Sequence, residues 1–188
     1  MKNKIIVIAE AGVNHNGSLK NAFEMIDVAK SAGADFIKFQ SFIADNLASK
    51  FARNAKYQDR NLKTKKTQYQ MLKDLEIDKS FHLKIARECE RKGISFLSTA
   101  FDPESLDFLL DTFDFDFLKI PSGEITNAPF VLKHALSGKN IVLSTGMANM
   151  KEIRDALGVL AFGFSKNNHK PSMANFKKSY ESKKGKKL

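Results

Sequence analysis

The run Asp114-Phe115-Asp116-Phe117-Leu118-Lys119-Ile120-Pro121-Ser122-Gly123-Glu124 brings a cation, small donors and a carboxylate to one strand end. An ammonium inside an apolar run is costly to desolvate unless an anion meets it, so Lys119 calls for a negative partner. Ser122 and the Gly123 backbone offer donors with little bulk, and Glu124 adds an acid a few residues on. A single lysine near a strand end more often snorkels to water. Here the arrangement repeats: Glu10 follows Ile5–Ala9, Lys38 and Gln40 sit in Phe36–Gln40, Ser98 and Thr99 follow Ile94–Leu97, and Ser144 and Thr145 follow Ile141–Leu143. In a parallel β/α sheet the strand C-terminal ends open on one face, so these groups converge there. Such a set suits an anion site beside an acid/base group.

The elements that position these residues alternate along the chain. Ser18 is the predicted N-cap of a helix with the stripe Leu19, Phe23, Ile26 and Ala29, ended by Gly33. A helix over Lys79–Lys92 carries Phe81, Ile85 and Cys89 and exits at Gly93; another over Pro129–Leu136 exits at Gly138. Asp102-Pro103-Glu104 starts a short helix with Leu106, Leu109 and Leu110, and Asn149 with Glu152 forms a capping-box spacing ahead of Ile153, Ala156, Leu157 and Leu160. Alternation of strand and helix predicts a parallel sheet in an α/β fold. The connection from Ser41 to Asp78, with an amphipathic piece at Tyr69–Leu75, is longer than a βα loop needs and is expected to wall or cover a site. Five βα units suit an open flavodoxin-type sheet, whereas a closed (β/α)8 barrel takes about 250 residues. No glycine-rich dinucleotide fingerprint follows the first strand, and Glu10 would repel a phosphate there.

The chain of 188 residues has a net charge of +10, but residues 165–188 hold eight lysines against one acid. The body before them is at +3, so the basic reading belongs to the tail alone and a specific nucleic-acid partner is not expected. No apolar run approaches membrane-spanning length, and Ile5–Ala9 is followed by no cleavage pattern. A cytoplasmic protein without a membrane partner is the expectation. The single cysteine, Cys89, lies four residues after Ile85 and reads as core filler.

Five ordered motifs, Ala9-Glu10-Ala11-Gly12-Val13-Asn14-His15-Asn16-Gly17-Ser18, Lys38-Phe39-Gln40, Leu97-Ser98-Thr99-Ala100-Phe101-Asp102, Lys119-Ile120-Pro121-Ser122-Gly123-Glu124 and Leu143-Ser144-Thr145-Gly146-Met147-Ala148, resemble the N-terminal catalytic domain of the N-acetylneuraminate (sialic acid) synthase family over about residues 4–168. The resemblance implies parallel β/α units of a TIM (β/α)8 barrel, of which only the first five are present, and a transferase activity. Phosphoenolpyruvate would condense with N-acetylmannosamine, or a related acylated amino sugar, to give a nine-carbon sialic acid and phosphate, in the biosynthesis of cell-surface polysaccharide. By position, Lys38, Gln40, Thr99, Lys119, Ser122 and Ser144 would cradle phosphoenolpyruvate. Glu10 would shuttle protons and Glu124 would accept sugar hydroxyls, the two catalytic carboxylates. The family uses a divalent metal, manganese or magnesium, and works as a homodimer in which an arginine of a C-terminal antifreeze-like domain reaches the partner's sugar site.

The departures bear on activity. The family has proline where Ala100 stands. The last three barrel strands, the metal-binding histidine pair and the antifreeze-like domain have no counterpart, and His15, His82, His134 and His169 form no ligand motif. The chain is therefore expected to be an inactive fragment: residues 1–168 a partial barrel domain and 169–188 a basic, disordered tail. Two alternatives stand beside it, another phosphoenolpyruvate-condensing keto-deoxy sugar acid synthase and a non-catalytic basic binding protein.

Overall fold

The computed structural model describes residues 5–50, 66–165 and 169–187. The chain divides into two compact units, residues 1–98 and 99–188.

The first unit contains β1 (Ile8–Gly12), α1 (Leu19–Ser31), β2 (Phe36–Ser41), the short α2 (Ala44–Leu47), α3 (Gln68–Leu75), α4 (Lys79–Lys92) and most of β3 (Ser95–Ala100). Strand order is β1-β2-β3, and β1 runs parallel to β2 with Glu10 opposite Lys38. The helix signals predicted at Ser18 and Gly93 act as read, the Ser18 hydroxyl accepting from the Asn21 amide and Gly93 closing α4 in the left-handed conformation, while Asp78, not read as a cap, accepts from the Phe81 amide through its carboxylate. Period-two alternation sends Ile37 and Phe39 of β2 into one core with Ala22, Ile26 and Ala29 of α1 and with Ile85 and Cys89 of α4. Ile26 and Ile85 are wholly buried, each worth about 2 kcal/mol of apolar transfer.

Three strand boundaries differ from the sequence reading. The first strand begins at Ile8 rather than Ile5, leaving Ile5, Ile6 and Val7 exposed and placing Glu10 inside the strand. Pairing explains the shift, because the Val7 carbonyl accepts from the Asp35 and Phe36 amides and the ladder starts only there. An apolar run without a partner strand has no backbone ladder to join. At the other end, β2 continues through Ser41 and β3 through Ala100, so Ser98 and Thr99 lie within a strand rather than after it. In the long connection, α3 carries a Thr67/Gln70 capping box and buries no residue completely, while residues 51–65 of the expected site wall lie outside the described residues.

The second unit contains α5 (Pro103–Thr112), β4 (Phe117–Ile120), a 3-10 turn at Ser122–Glu124, α6 (Ala128–Leu136), β5 (Asn140–Leu143), α7 (Met150–Phe164), α8 (Met173–Glu181) and a 3-10 turn at Gly185–Lys187. β4 and β5 pair in parallel, with Lys119 opposite Val142 and Ile120 opposite Leu143. Asp102 caps α5, and both halves of the Asn149/Glu152 capping box form at α7. Ile120 packs with Val131 and Ala135 of α6 and with Val159, Leu160 and Phe162 of α7.

Where a disordered tail is expected after residue 168, the structure has the helix α8. Ser172 caps this helix through the Asn175 amide, and Phe176 is buried edge-on against the Phe162 ring, centroids 5.2 Å apart. A lysine-rich composition concealed one apolar position that α7 covers.

Candidate active site

On β1 and β2 the register places Glu10 beside Lys38, and the two side chains form an ion pair. The Lys38 side chain is 9% exposed and the Glu10 side chain 54%, so the cation lies deep and its partner reaches solvent. A β-bulge between Glu10 and Gly12 breaks the pairing here. Gly12 has φ +57°, and an added Cβ would come within 3.4 Å of both the Gln40 amide nitrogen and a Glu10 carboxylate oxygen. Glu10, Lys38 and Gln40 therefore form one cluster, on the side of the sheet away from Ile37 and Phe39.

A second polar group occupies the opposite face of β2. The Ser41 hydroxyl lies 2.7 Å from His82 Nε2 and 2.7 Å from the Ser98 hydroxyl, and His82 Nδ1 lies 2.8 Å from the Asp78 carbonyl. All three side chains are buried. A carbonyl only accepts, so Nδ1 carries the imidazole proton, Nε2 accepts from Ser41, and Ser41 accepts from Ser98. Burial holds His82 below the ordinary imidazole range, which keeps Nε2 free to accept. Sequence reasoning missed this chain. Its signal was a polar residue at each strand end, but pairing Ser41 with Ser98 across 57 positions requires the sheet.

In the second unit, Lys119 is half-buried on β4, on the face opposite Leu118 and Ile120. Ser122 opens the turn beyond β4. Ser144 follows β5 and donates its amide to the Ile120 carbonyl at 3.1 Å, so Ser144 and Ser122 flank the ends of paired strands. A Glu124 carboxylate oxygen accepts from the Asn127 side-chain amide at 2.9 Å. Thr99 is 1% exposed, and its hydroxyl has no hydrogen-bond partner among the described residues. Because Ser98 turns toward Ser41, Thr99 faces the other side of β3.

Among the described residues no group of three or more His, Cys, Asp or Glu side chains comes together to hold a metal ion. His15 Nδ1 accepts from the Gly17 amide, so its proton sits on a buried Nε2 with no partner among the described residues, and His134 Nδ1 donates to the Phe130 carbonyl. These residues do not fit a divalent cation. Burial pushes the Cys89 thiol up to about 12, which removes it as a nucleophile. No helix among the described residues is long and apolar enough to cross a membrane.

Parallel strands joined by helices, with lysines, hydroxyls and carboxylates along the strands and at their ends in each unit, define an α/β protein. The chain belongs to the NeuB family, whose model matches residues 25–181. It is 49% identical over 157 residues to N,N'-diacetyllegionaminic acid synthase of Campylobacter jejuni, covering 84% of this chain and 47% of that protein. It is 47% identical over 152 residues to the synthase of the same name in Legionella pneumophila, covering 80% and 42%. Among solved structures it resembles the N-acetylneuraminic acid (sialic acid) synthetase of Leptospira borgpetersenii, crystallised with citrate, with a TM-score of 0.69, 32% identity, and coverage of 86% of this chain and 52% of that one. The chain thus spans about half the length of the relatives it matches.

Proposed function

We propose that this chain is the phosphoenolpyruvate-binding part of a nonulosonic acid synthase, its five strands being the first five units of a (β/α)8 barrel. In the reaction, C3 of phosphoenolpyruvate bonds to the aldehyde carbon of an open-chain acylated amino sugar, whose oxygen takes up a proton. Water adds at C2, and the C–O bond to phosphate breaks so that phosphate leaves with the bonding electrons. Lys38 and Lys119 supply cations for the phosphate and carboxylate, and Gln40, Thr99, Ser122 and Ser144 supply neutral donors. The unpartnered Thr99 hydroxyl supports this role, since a buried donor without an acceptor is costly and a ligand oxygen would satisfy it. Glu10 acts in proton transfer, and Glu124, oriented by Asn127, accepts from sugar hydroxyls.

The observation that carries the reading is the Glu10–Lys38 cluster on paired strands of a chain 49% identical to a diacetyllegionaminic acid synthase. The same likeness favours a sugar with two acetamido groups over N-acetylmannosamine. The metal and the dimer of the whole enzyme belong to this reading too, with the metal supplying Lewis acidity to the aldehyde. Among the described residues no ligand set for that metal comes together.

Phosphorus-31 titration of phosphoenolpyruvate against this chain, with Lys38→Met and Lys119→Met as controls, tests the cradle. Binding that either substitution abolishes is expected; binding unchanged by both removes the lysines from the site. Joined to the remaining half of the Campylobacter relative, the chain is expected to release phosphate faster with a diacetamido sugar than with N-acetylmannosamine. The reverse preference overturns the choice of sugar. In that joined enzyme Glu124→Gln should raise the KM for the sugar more than that for phosphoenolpyruvate, and equal effects would contradict its role.

A further inference from the structure

Ser41 directly follows Gln40 on β2, and Ser98 directly precedes Thr99 on β3. Each serine turns to the helix-covered face, where both join His82 of α4. We propose that the Ser98–Ser41–His82 chain is a positioning device that fixes the C-terminal end of β2 against β3 so that Lys38 and Gln40 meet the anion; the inference rests on the function proposed above.

The chain has one polarity, from the Ser98 hydroxyl to Ser41, from Ser41 to His82 Nε2, and from His82 Nδ1–H to the Asp78 carbonyl, so no rotation of a single hydroxyl preserves it. Its members come from two strands and a helix, and Asp78 is also the N-cap of that helix, so the chain ties the start of α4 to the strand ends. Apolar side chains fill this layer elsewhere, at Ile37, Phe39, Ile85 and Cys89, and would have filled these positions without any polar desolvation cost. Polar groups in such a layer impose direction and distance where apolar packing tolerates sliding. Strand ends that must hold donors within a few tenths of an ångström of a ligand need that constraint.

The test compares wild type, Ser41→Ala, Ser41→Thr, His82→Phe and Lys38→Met by phosphoenolpyruvate titration and by urea denaturation on the same preparations. Ser41→Ala is expected to weaken phosphoenolpyruvate binding by about tenfold while the chain remains folded. Ser41→Thr keeps the hydroxyl, suits a strand and is expected to restore most of the affinity. His82→Phe keeps the packing and removes the acceptor, so its affinity should match that of Ser41→Ala. Amide hydrogen exchange at Lys38–Ser41 should rise in Ser41→Ala and fall back in Ser41→Thr. If Lys38→Met abolishes binding while Ser41→Ala only lowers the denaturation midpoint, the serine is structural and the inference fails alone. If the wild-type chain binds no phosphoenolpyruvate, the functional reading fails and takes this inference with it.

Discussion

Lys38 is nearly buried while its partner Glu10 reaches solvent, and this asymmetry sets what each substitution does. A phosphate or carboxylate arriving at Lys38 competes with the Glu10 carboxylate for one ammonium. Glu10→Gln removes the competitor and is expected to tighten phosphoenolpyruvate binding roughly three- to tenfold, on the order of 1 kcal/mol. The same substitution should abolish turnover in an enzyme made by joining this chain to the remaining half of the Campylobacter relative, because proton transfer is lost. Weaker binding by Glu10→Gln in the phosphorus titration would show that Glu10 supports the ligand instead of competing with it.

At the scale of elements, α8 is seated by a close approach to α7. An added Cβ at Gly158 would lie 2.9 Å from the Phe176 carbonyl oxygen, a backbone atom that cannot swing aside. Alanine gains up to about 1 kcal/mol of helix propensity over glycine in a helix interior. Overpacking against a fixed backbone costs about 1–3 kcal/mol, so the clash decides the sign. Gly158→Ala is therefore expected to loosen α8 and to speed tryptic cleavage at Lys177 and Lys178. Cleavage at the wild-type rate would mean that α8 is not held by this contact.

Across the whole molecule, each unit buries neutral histidine: His15 and His82 in the first and His134 in the second. Burial leads the causes that hold all three below the ordinary value of 6.5, with His82 adding to the effect on His15 and Lys133 to that on His134. Above pH 6.5 both folded and unfolded chains carry these rings neutral, and stability is complete. As pH falls below 6.5 the unfolded chain takes up protons that the folded chain refuses, so stability declines by up to about 1.4 kcal/mol per pH unit for each histidine. The urea midpoint is expected to be lower at pH 5.5 than at pH 7.5. An equal or higher midpoint at pH 5.5 would show that the rings are not held neutral.

The alternating apolar runs, the caps at Ser18, Asp102 and Asn149, and the glycine exits determined by themselves where the helices they flank form, because capping and periodicity are interactions within about one turn of chain. The order and spacing of the lysine, hydroxyl and carboxylate motifs likewise carried the family, which the match over residues 25–181 established. Tertiary structure decided the rest. β1 starts at Ile8 because its partner β2 starts at Phe36, and the sequence run from Ile5 holds no information about where a partner begins. The helix of the basic end rests on α7 where Phe176 packs edge-on against Phe162 and its carbonyl lies close over Gly158. The pairing of Glu10 with Lys38 and of Ser41 with His82 and Ser98 arises from strand register and sheet order, which bring together side chains 28, 41 and 57 positions apart. Such contacts depend on loop closure and packing of the whole layer, a physical constraint that no local pattern of residues encodes.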